Sequence, residues 1–299
     1  MRYVVVREDV QVQAAEGGGA GERACEPSLR RKVLHGVARL APALTGRLLA
    51  QRYLSPASHL DPAHVARNGA RLIPLGPDRA VLRFAASGTT EHSAARVLLI
   101  PGHDGHARQF LRLVRDLRRA GAAVDLLILP GHLHPARTLC SLEDIVPAIR
   151  HCTRDCGPYD AIGAHCVGAR SLLFALGEGL ECPRIAFIST PVELPKLIRL
   201  GGTQYGLDGP ALARFESGVA RLCGRYDPAA DWRPVARARQ GETLVVHARH
   251  DYAAPVADAR AFAAAIPGAE LEVFEQGDHN TILNLATASR RLAGFLAGS

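Results

Sequence analysis

The sequence predicts an α/β protein on a mostly parallel, doubly wound sheet. Three observations predict it. From residue 96 onward, short apolar runs rich in Val, Ile and Leu alternate with segments of helical period. Gly, Pro and Asp recur where these runs end, as they do at strand-to-helix turns. At 299 residues and 47% hydrophobic content, the chain can also bury a substantial core.

Taken in order, residues 1–26 end in "AAEGGGAGERACE", a Gly-rich stretch expected to be flexible. Residues 27–60 form a basic amphipathic helical region: Arg30, Arg31, Lys32, Arg39, Arg47 and Arg52 with no acid. There Leu29, Val33, Val37, Leu40, Leu44 and Leu48 recur at steps of three or four, which gives one apolar face. The expectation is a helix kinked at Pro42 and laid by that face against the domain, with its arginines in water. Contact with a membrane surface is the less favoured reading.

The main domain is expected over 70–299. "RLIPLGPDRAVLRFAA" (71–86) reads as two strands of a hairpin turning at Gly76-Pro77-Asp78. Strands then follow at 96–102, 122–131, 159–165, 184–190, 243–248 and 270–275. Helices are expected at 106–121, 141–156, 167–179 and 255–266, with a last one from about Thr281. The helix at 141 opens on Ser141 with Asp144 three residues on, a capping pair. Residues 191–240 break the rhythm. They are expected to form a helical cap over the carboxyl ends of the strands, where such sheets bind ligands.

Composition narrows the class further. The net charge is +7, but only Lys32 and Lys196 are lysines, so the arginine excess reads as genome bias, and no nucleic-acid partner is expected. No apolar run approaches the ~20 residues of a membrane span, and "MRYVVVREDV" lacks the apolar centre of a secretory signal. Seven cysteines, an odd number, argue against a disulfide framework. A cytoplasmic protein with free thiols is expected.

The chemistry gathers at "YDAIGAHCVGARSLLFA" (159–175), a strand, a tight turn and a helix with Cys166 at the apex. Such a turn lifts its side chain clear of the sheet and leaves helix-start N–H groups free for an oxyanion. It needs small residues two before and two after, here Ala164 and Gly168. The helix dipole and a nearby imidazole would favour the thiolate. Asp251 follows the strand "TLVVHA" and His279 follows "ELEVFE". Nucleophile, acid and base thus come in the chain order of a nucleophile-elbow hydrolase, each at the carboxyl end of a parallel strand.

From about residue 70 to 297 the sequence resembles the α/β-hydrolase family, as a member with a cysteine nucleophile. "LLIPGHDGHARQF" is similar to its His-Gly-x-x-Gly oxyanion strand and loop, and "LILPGHLHP" to its Asp-x-Pro-Gly-x-Gly loop. "VVHARHDYAAPV" and "GDHNTIL" resemble its acid and histidine loops. The resemblance implies Cys166 as nucleophile, His279 as base and Asp251 as the orienting acid. It places the oxyanion donors on the backbone N–H groups of Val167 and His103, and the cap at about 191–240. The sequence departs from the pattern at Pro101 for His, at Ile128, Leu133 and Pro135 for Asp, Gly and Ser, at Ala164 for the first elbow glycine, and at Cys166 for Ser. Cysteine members of the superfamily include dienelactone hydrolases, polyhydroxyalkanoate synthases and some assembly-line thioesterases. Ala169 stands where the first two have a second elbow glycine.

The expected activity is hydrolysis or transfer of acyl groups from a small ester or thioester, free or carrier-bound, through a Cys-His-Asp triad and an acyl-enzyme. The alternative is an inactive hydrolase fold that binds a small molecule or a protein. No cofactor and no metal is expected: His103, His106, His132, His134 and His165 match no zinc spacing. Glu193, after the strand 184–190, is the second candidate for the acid. Asp278 is expected to bond only its own loop. Cys152 and Cys156, four apart, fit no redox motif.

Overall fold

The structure is a computed structural model that describes residues 36, 40–60, 70–87, 94–105, 107–133 and 138–298. The segment 1–26, residues 27–35 and 37–39 of the basic region, and His106, His134 and Pro135 lie outside the described residues.

Eight strands form one sheet: β1 (Arg71–Pro74), β2 (Ala80–Phe84), β3 (Arg96–Ile100), β4 (Ala123–Ile128), β5 (Ala161–His165), β6 (Arg184–Ile188), β7 (Glu242–Ala248) and β8 (Glu270–Phe274). Their order is β1-β2-β4-β3-β5-β6-β7-β8. The β1–β2 and β2–β4 pairs are antiparallel and every other pair is parallel. The hairpin thus ends a sheet that runs one way from β4 to β8. Ala164 pairs with Ile100 on one side and Phe187 on the other, so β5 ends in the middle of the sheet.

Helices cover both faces because alternate strand residues point to opposite sides. Leu98, Ile100, Ile162, Phe187 and Val245 pack into one core with α3 (Leu142–Cys156), α4 (Cys166–Gly177) and α8 (Val256–Ala265). Leu99, Leu126, Ala186, Ile188 and Val246 pack into the other with α2 (Leu111–Arg119) and α9 (Ala286–Ala297). Between β6 and β7 come α5 (Leu194–Gln204), α6 (Gly209–Leu222) and α7 (Arg233–Ala238). The Ser141–Asp144 capping box is present at the start of α3.

Two expected helices open differently. Ala107–Phe110 and Thr281–Asn284 are single 3₁₀ turns, and α2 and α9 start only after them. At the second, Leu285 is extended (φ −69°, ψ 127°), which separates the turn from α9.

The basic helical region departs more. Its helix α1 runs Pro42–Leu54, with Pro42 in the first turn, where no N–H is needed; Leu40 before it is also helical, and the helical path is interrupted at Ala41 (φ −136°, ψ 64°). The face laid against the domain is Thr45, Gly46, Ala50, Tyr53 and Leu54. Leu40, Leu44 and Leu48 are instead 89%, 59% and 54% exposed. The reason is close packing on α6. A Cβ on Gly46 would lie 2.7 Å from Arg214 Cβ and 2.8 Å from Phe215 N, and one on Gly218 would lie 3.0 Å from Ala50 Cβ. Small residues let the two helices touch there, and leucines could not.

Candidate active site

Cys166 joins β5 to α4 with φ +54°, a left-handed conformation that a side-chain-bearing residue adopts only where its surroundings impose it. Those surroundings are the end of β3. A Cβ on Gly168 would sit 2.1 Å from the Pro101 carbonyl oxygen, so the first turn of α4 lies directly on that strand end. A Cβ on Gly102 would lie 3.3 Å from Cys166 Sγ, which puts the Pro101–Gly105 loop against the thiol. Val167 follows Cys166 in the first turn of α4, and His103 follows Gly102 in the loop that abuts the thiol.

Asp251 lies in the loop after β7. Its Oδ1 accepts the Ala253 and Ala254 N–H groups at 2.9 and 2.8 Å. Both its oxygens are 2.9 Å from His279 Nδ1, in the loop after β8. Burial would raise the Asp251 carboxyl, but the His279 hydrogen bond, the charges of His279 and His247 and the Ala254 N–H hold it below the usual carboxylate range. With Nδ1 committed to Asp251, His279 turns Nε2 toward Cys166. That nitrogen is buried, and the hydrogen-bonding side chain within its reach is that of Cys166. Burial would lower the imidazole, but the Cys166 charge and the Asp251 hydrogen bond push it up to about 10. The structure thus brings Cys166, His279 and Asp251 together.

Two buried histidines hold these loops. His165 Nε2 lies 2.8 Å from the His279 carbonyl oxygen, so it donates there and fixes the histidine loop against the elbow. Burial pushes its imidazole down to about 3, and it stays neutral. His247 Nε2 does the same for the acid loop, 2.7 Å from the Ala254 carbonyl oxygen. His247 carried no sequence signal beyond its place in β7.

A tyrosine that the sequence did not single out roofs the site. Tyr53, from the last turn of α1, is 6% exposed and stacks on the His103 ring at 6.3 Å and 10°. It also meets Phe215 of α6 edge-on at 5.3 Å, and its hydroxyl donates to the Leu197 carbonyl at 3.5 Å. Burial first, then the charge of Cys166, raises the Tyr53 phenol above its ordinary value, as it does for Tyr252 of the acid loop. Both remain protonated beside the thiol. Cys166 is only 4% exposed and His279 0%, so the site is covered.

The remaining candidates lie elsewhere. Glu193 accepts from Trp232 Nε1 at 3.2 Å and stands 3.7 Å from Arg233, and its bonds do not include His279. Asp278 Oδ1 accepts the N–H groups of Asn280 and Thr281 and the Thr281 hydroxyl, bonds of its own loop. Cys152 and Cys156 are buried, and the six described cysteines are free. The His103 and His132 rings meet edge-on at 6.4 Å, and no set of three or more metal-binding side chains occurs among the described residues.

No protein-family model matches the chain, and no curated protein matches it in sequence. Solved structures do match in fold. Est1E from Butyrivibrio proteoclasticus superposes with a TM-score of 0.58 at 16% identity, over 75% of this chain and 97% of that one. The bromoperoxidase from Bacillus anthracis gives 0.58 at 12% identity, over 77% and 100%. An esterase from Exiguobacterium antarcticum gives 0.55 at 15%, over 73% and 95%. At these identities the likeness is one of fold, and together with the strand order it gives the chain the α/β-hydrolase fold.

Proposed function

We propose that this chain is a hydrolase or acyltransferase acting on esters or thioesters through Cys166, His279 and Asp251. One observation carries the reading. The His279 imidazole is clamped through Nδ1 by a buried carboxylate, while its other nitrogen faces a thiol held at φ +54° on a strand-to-helix turn. Two fold neighbours, from Exiguobacterium antarcticum and Rhodothermus marinus, are esterases by their names.

In this reading the Cys166 thiolate attacks the substrate carbonyl carbon, and a C–S bond forms. The oxyanion is met by the N–H groups of Val167 and His103. Collapse breaks the bond to the leaving alcohol or thiol, which takes its proton from the His279 imidazolium. Neutral His279 then deprotonates a water or an acceptor hydroxyl, whose oxygen attacks the acyl carbon. Acid or new ester leaves, and sulfur is free again. Asp251 holds the tautomer throughout. A thioester acyl-enzyme exchanges with thioester substrates at nearly balanced energy, while an amide would need a much poorer leaving group to depart. Esters and thioesters are therefore the favoured substrates. Helices α5 to α7 serve as the cap, with Tyr53 of α1 completing it, and substrate entry requires that roof to open.

The test is intact-protein mass after incubation with a panel of acyl thioesters and aryl esters. The expected result is one acyl adduct, mapped to Cys166, lost in Cys166→Ala and formed far more slowly in His279→Ala. A Cys166 that neither acylates nor alkylates until the protein is denatured would overturn the reading and leave a ligand-binding hydrolase fold.

A further inference from the structure

The outer face of α1 is a surface that the proposed chemistry does not use. Leu44 and Leu48 stand one turn apart on it, and Leu40 stands just before the break at Ala41; all three are more than half exposed. Leu44 and Leu48 are turned away from the Gly46, Ala50 and Tyr53 side that seats the helix on α6. By helical period Arg47 and Arg52 fall on either flank of the leucine line. Both are exposed, and neither has an ion-pair partner among the described residues. Arg214, also exposed, lies at the seam, because its Cβ is what a Gly46 side chain would strike. Glu216, on the same turn of α6, is engaged by Arg199 at 2.8 Å. Over residues 27–60 the chain carries six basic residues and no acid.

We infer that this face docks on an anionic lipid surface, with Leu40, Leu44 and Leu48 entering the headgroup–acyl boundary and Arg47, Arg52 and Arg214 meeting lipid phosphates. An amphipathic helix lying in the interface joins these two contributions, apolar burial and attraction to acidic headgroups. A nucleic acid would use the arginines and leave the leucines in water, and a second copy of this chain would set the arginines against one another. Docking by this face would place the roof of the covered thiol next to the membrane, because Tyr53 lies on the inner side of the same helix. The binding itself does not depend on the proposed catalysis, and the test reads binding alone.

The experiment is co-sedimentation of the full chain with phosphatidylcholine vesicles, with and without phosphatidylglycerol, at low and high salt. Binding is expected only to the acidic vesicles and is expected to weaken as salt screens the arginines. Leu40→Gln/Leu44→Gln/Leu48→Gln should lower partition by about tenfold or more. Arg47→Gln/Arg52→Gln should lower it by about fivefold for each charge. All these side chains are exposed, so an unchanged thermal midpoint is expected and separates lost docking from lost folding. Equal binding to neutral vesicles, no binding at all, or binding that survives both sets of substitutions would overturn the inference. So would a dimer in solution that the leucine substitutions dissolve, which would give the face to a second copy.

Discussion

The reactive groups and the roof above them meet at one point but are held in different ways. Cys166, Asp251 and His279 each follow a strand of the sheet within a few residues and are held by the sheet's own strand ends and the loops beyond them: Pro101 and Gly102 at the end of β3 for Cys166, Ala253 and Ala254 for Asp251, Asp251 and His165 for His279. The roof and the Pro101–Gly105 loop are held across the chain. Asp104, at φ +56°, accepts the Ala57 and Ser58 N–H groups at 2.8 and 2.6 Å, which staples that loop to the segment after α1. The Leu54 carbonyl takes the Cys140 N–H, and the His132 carbonyl takes the Leu60 N–H, so that segment is fastened to two further loops. The chemistry thus stands on the sheet, while its cover stands on a helix that precedes the sheet in the chain. Substitutions on the first side should change rates, and those on the second should change access.

The largest effect expected is on the chemical side. Asp251→Asn keeps the shape of the acid but loses the charge that favours the imidazolium, and it should lower kcat by about 10⁴-fold. Circular dichroism should be unchanged, because Asn can still accept from Ala253 and Ala254. A fall of less than tenfold would mean that His279 is not oriented by Asp251. Next comes Gly168→Ala. Its methyl would meet the Pro101 carbonyl oxygen at 2.1 Å, a backbone atom that cannot swing away, so a loss of about 4 kcal/mol is expected in denaturant unfolding. A near-neutral result would show that the elbow and β3 are not in the contact described.

On the roof side, Tyr53→Ala removes a ring packed between His103 and Phe215 and should cost about 3 kcal/mol. Bulky maleimides should then alkylate Cys166 several-fold faster than in the parent, while small alkylating agents gain less. Equal rates for both probes in both proteins would mean that Tyr53 does not guard the thiol. If the comparison holds, Asp251→Asn slows chemistry without changing access and Tyr53→Ala does the reverse.

The sequence was legible where the candidate site follows the strand pattern. Alternating apolar runs placed the carboxyl ends of β5, β7 and β8, and a Cys, an Asp and a His in the loops beyond them were found by that position. What stayed hidden depends on contacts between distant segments. The leucine period at 40, 44 and 48 announced an apolar face, yet the seat of α1 is set by Gly46 and Ala50 meeting Arg214, Phe215 and Gly218 on α6. Nothing local to residues 42–54 names that partner. Tyr53 was equally invisible, because its role comes from stacking on His103, fifty residues later. His165 was seen, but as one of several histidines near the strand ends; its partner is a carbonyl 114 residues away.

The effect smallest at neutral pH concerns that histidine and is read from the pH dependence of stability. Burial takes the His165 imidazole from its ordinary 6.5 down to about 3 in the folded protein. The unfolded chain therefore binds one more proton than the folded one between those values. The stability that neutral His165 confers is fully present above about pH 6.5 and is lost as pH falls toward 3. One proton corresponds to a slope of at most about 1.4 kcal/mol per pH unit. His279 has the opposite sign: raised to about 10, it contributes below 6.5 and its contribution is lost as pH climbs toward 10. His165→Gln keeps an amide donor in reach of the His279 carbonyl but cannot titrate. Urea unfolding between pH 4 and pH 8 should show the slope reduced by about one proton, about 1.4 kcal/mol per pH unit in the steepest part, with the stability at pH 8 lowered by less than about 1 kcal/mol. An unchanged acid slope would mean that His165 takes up its proton in the folded state. In that case it could not hold the histidine loop as a neutral donor with a bare Nδ1.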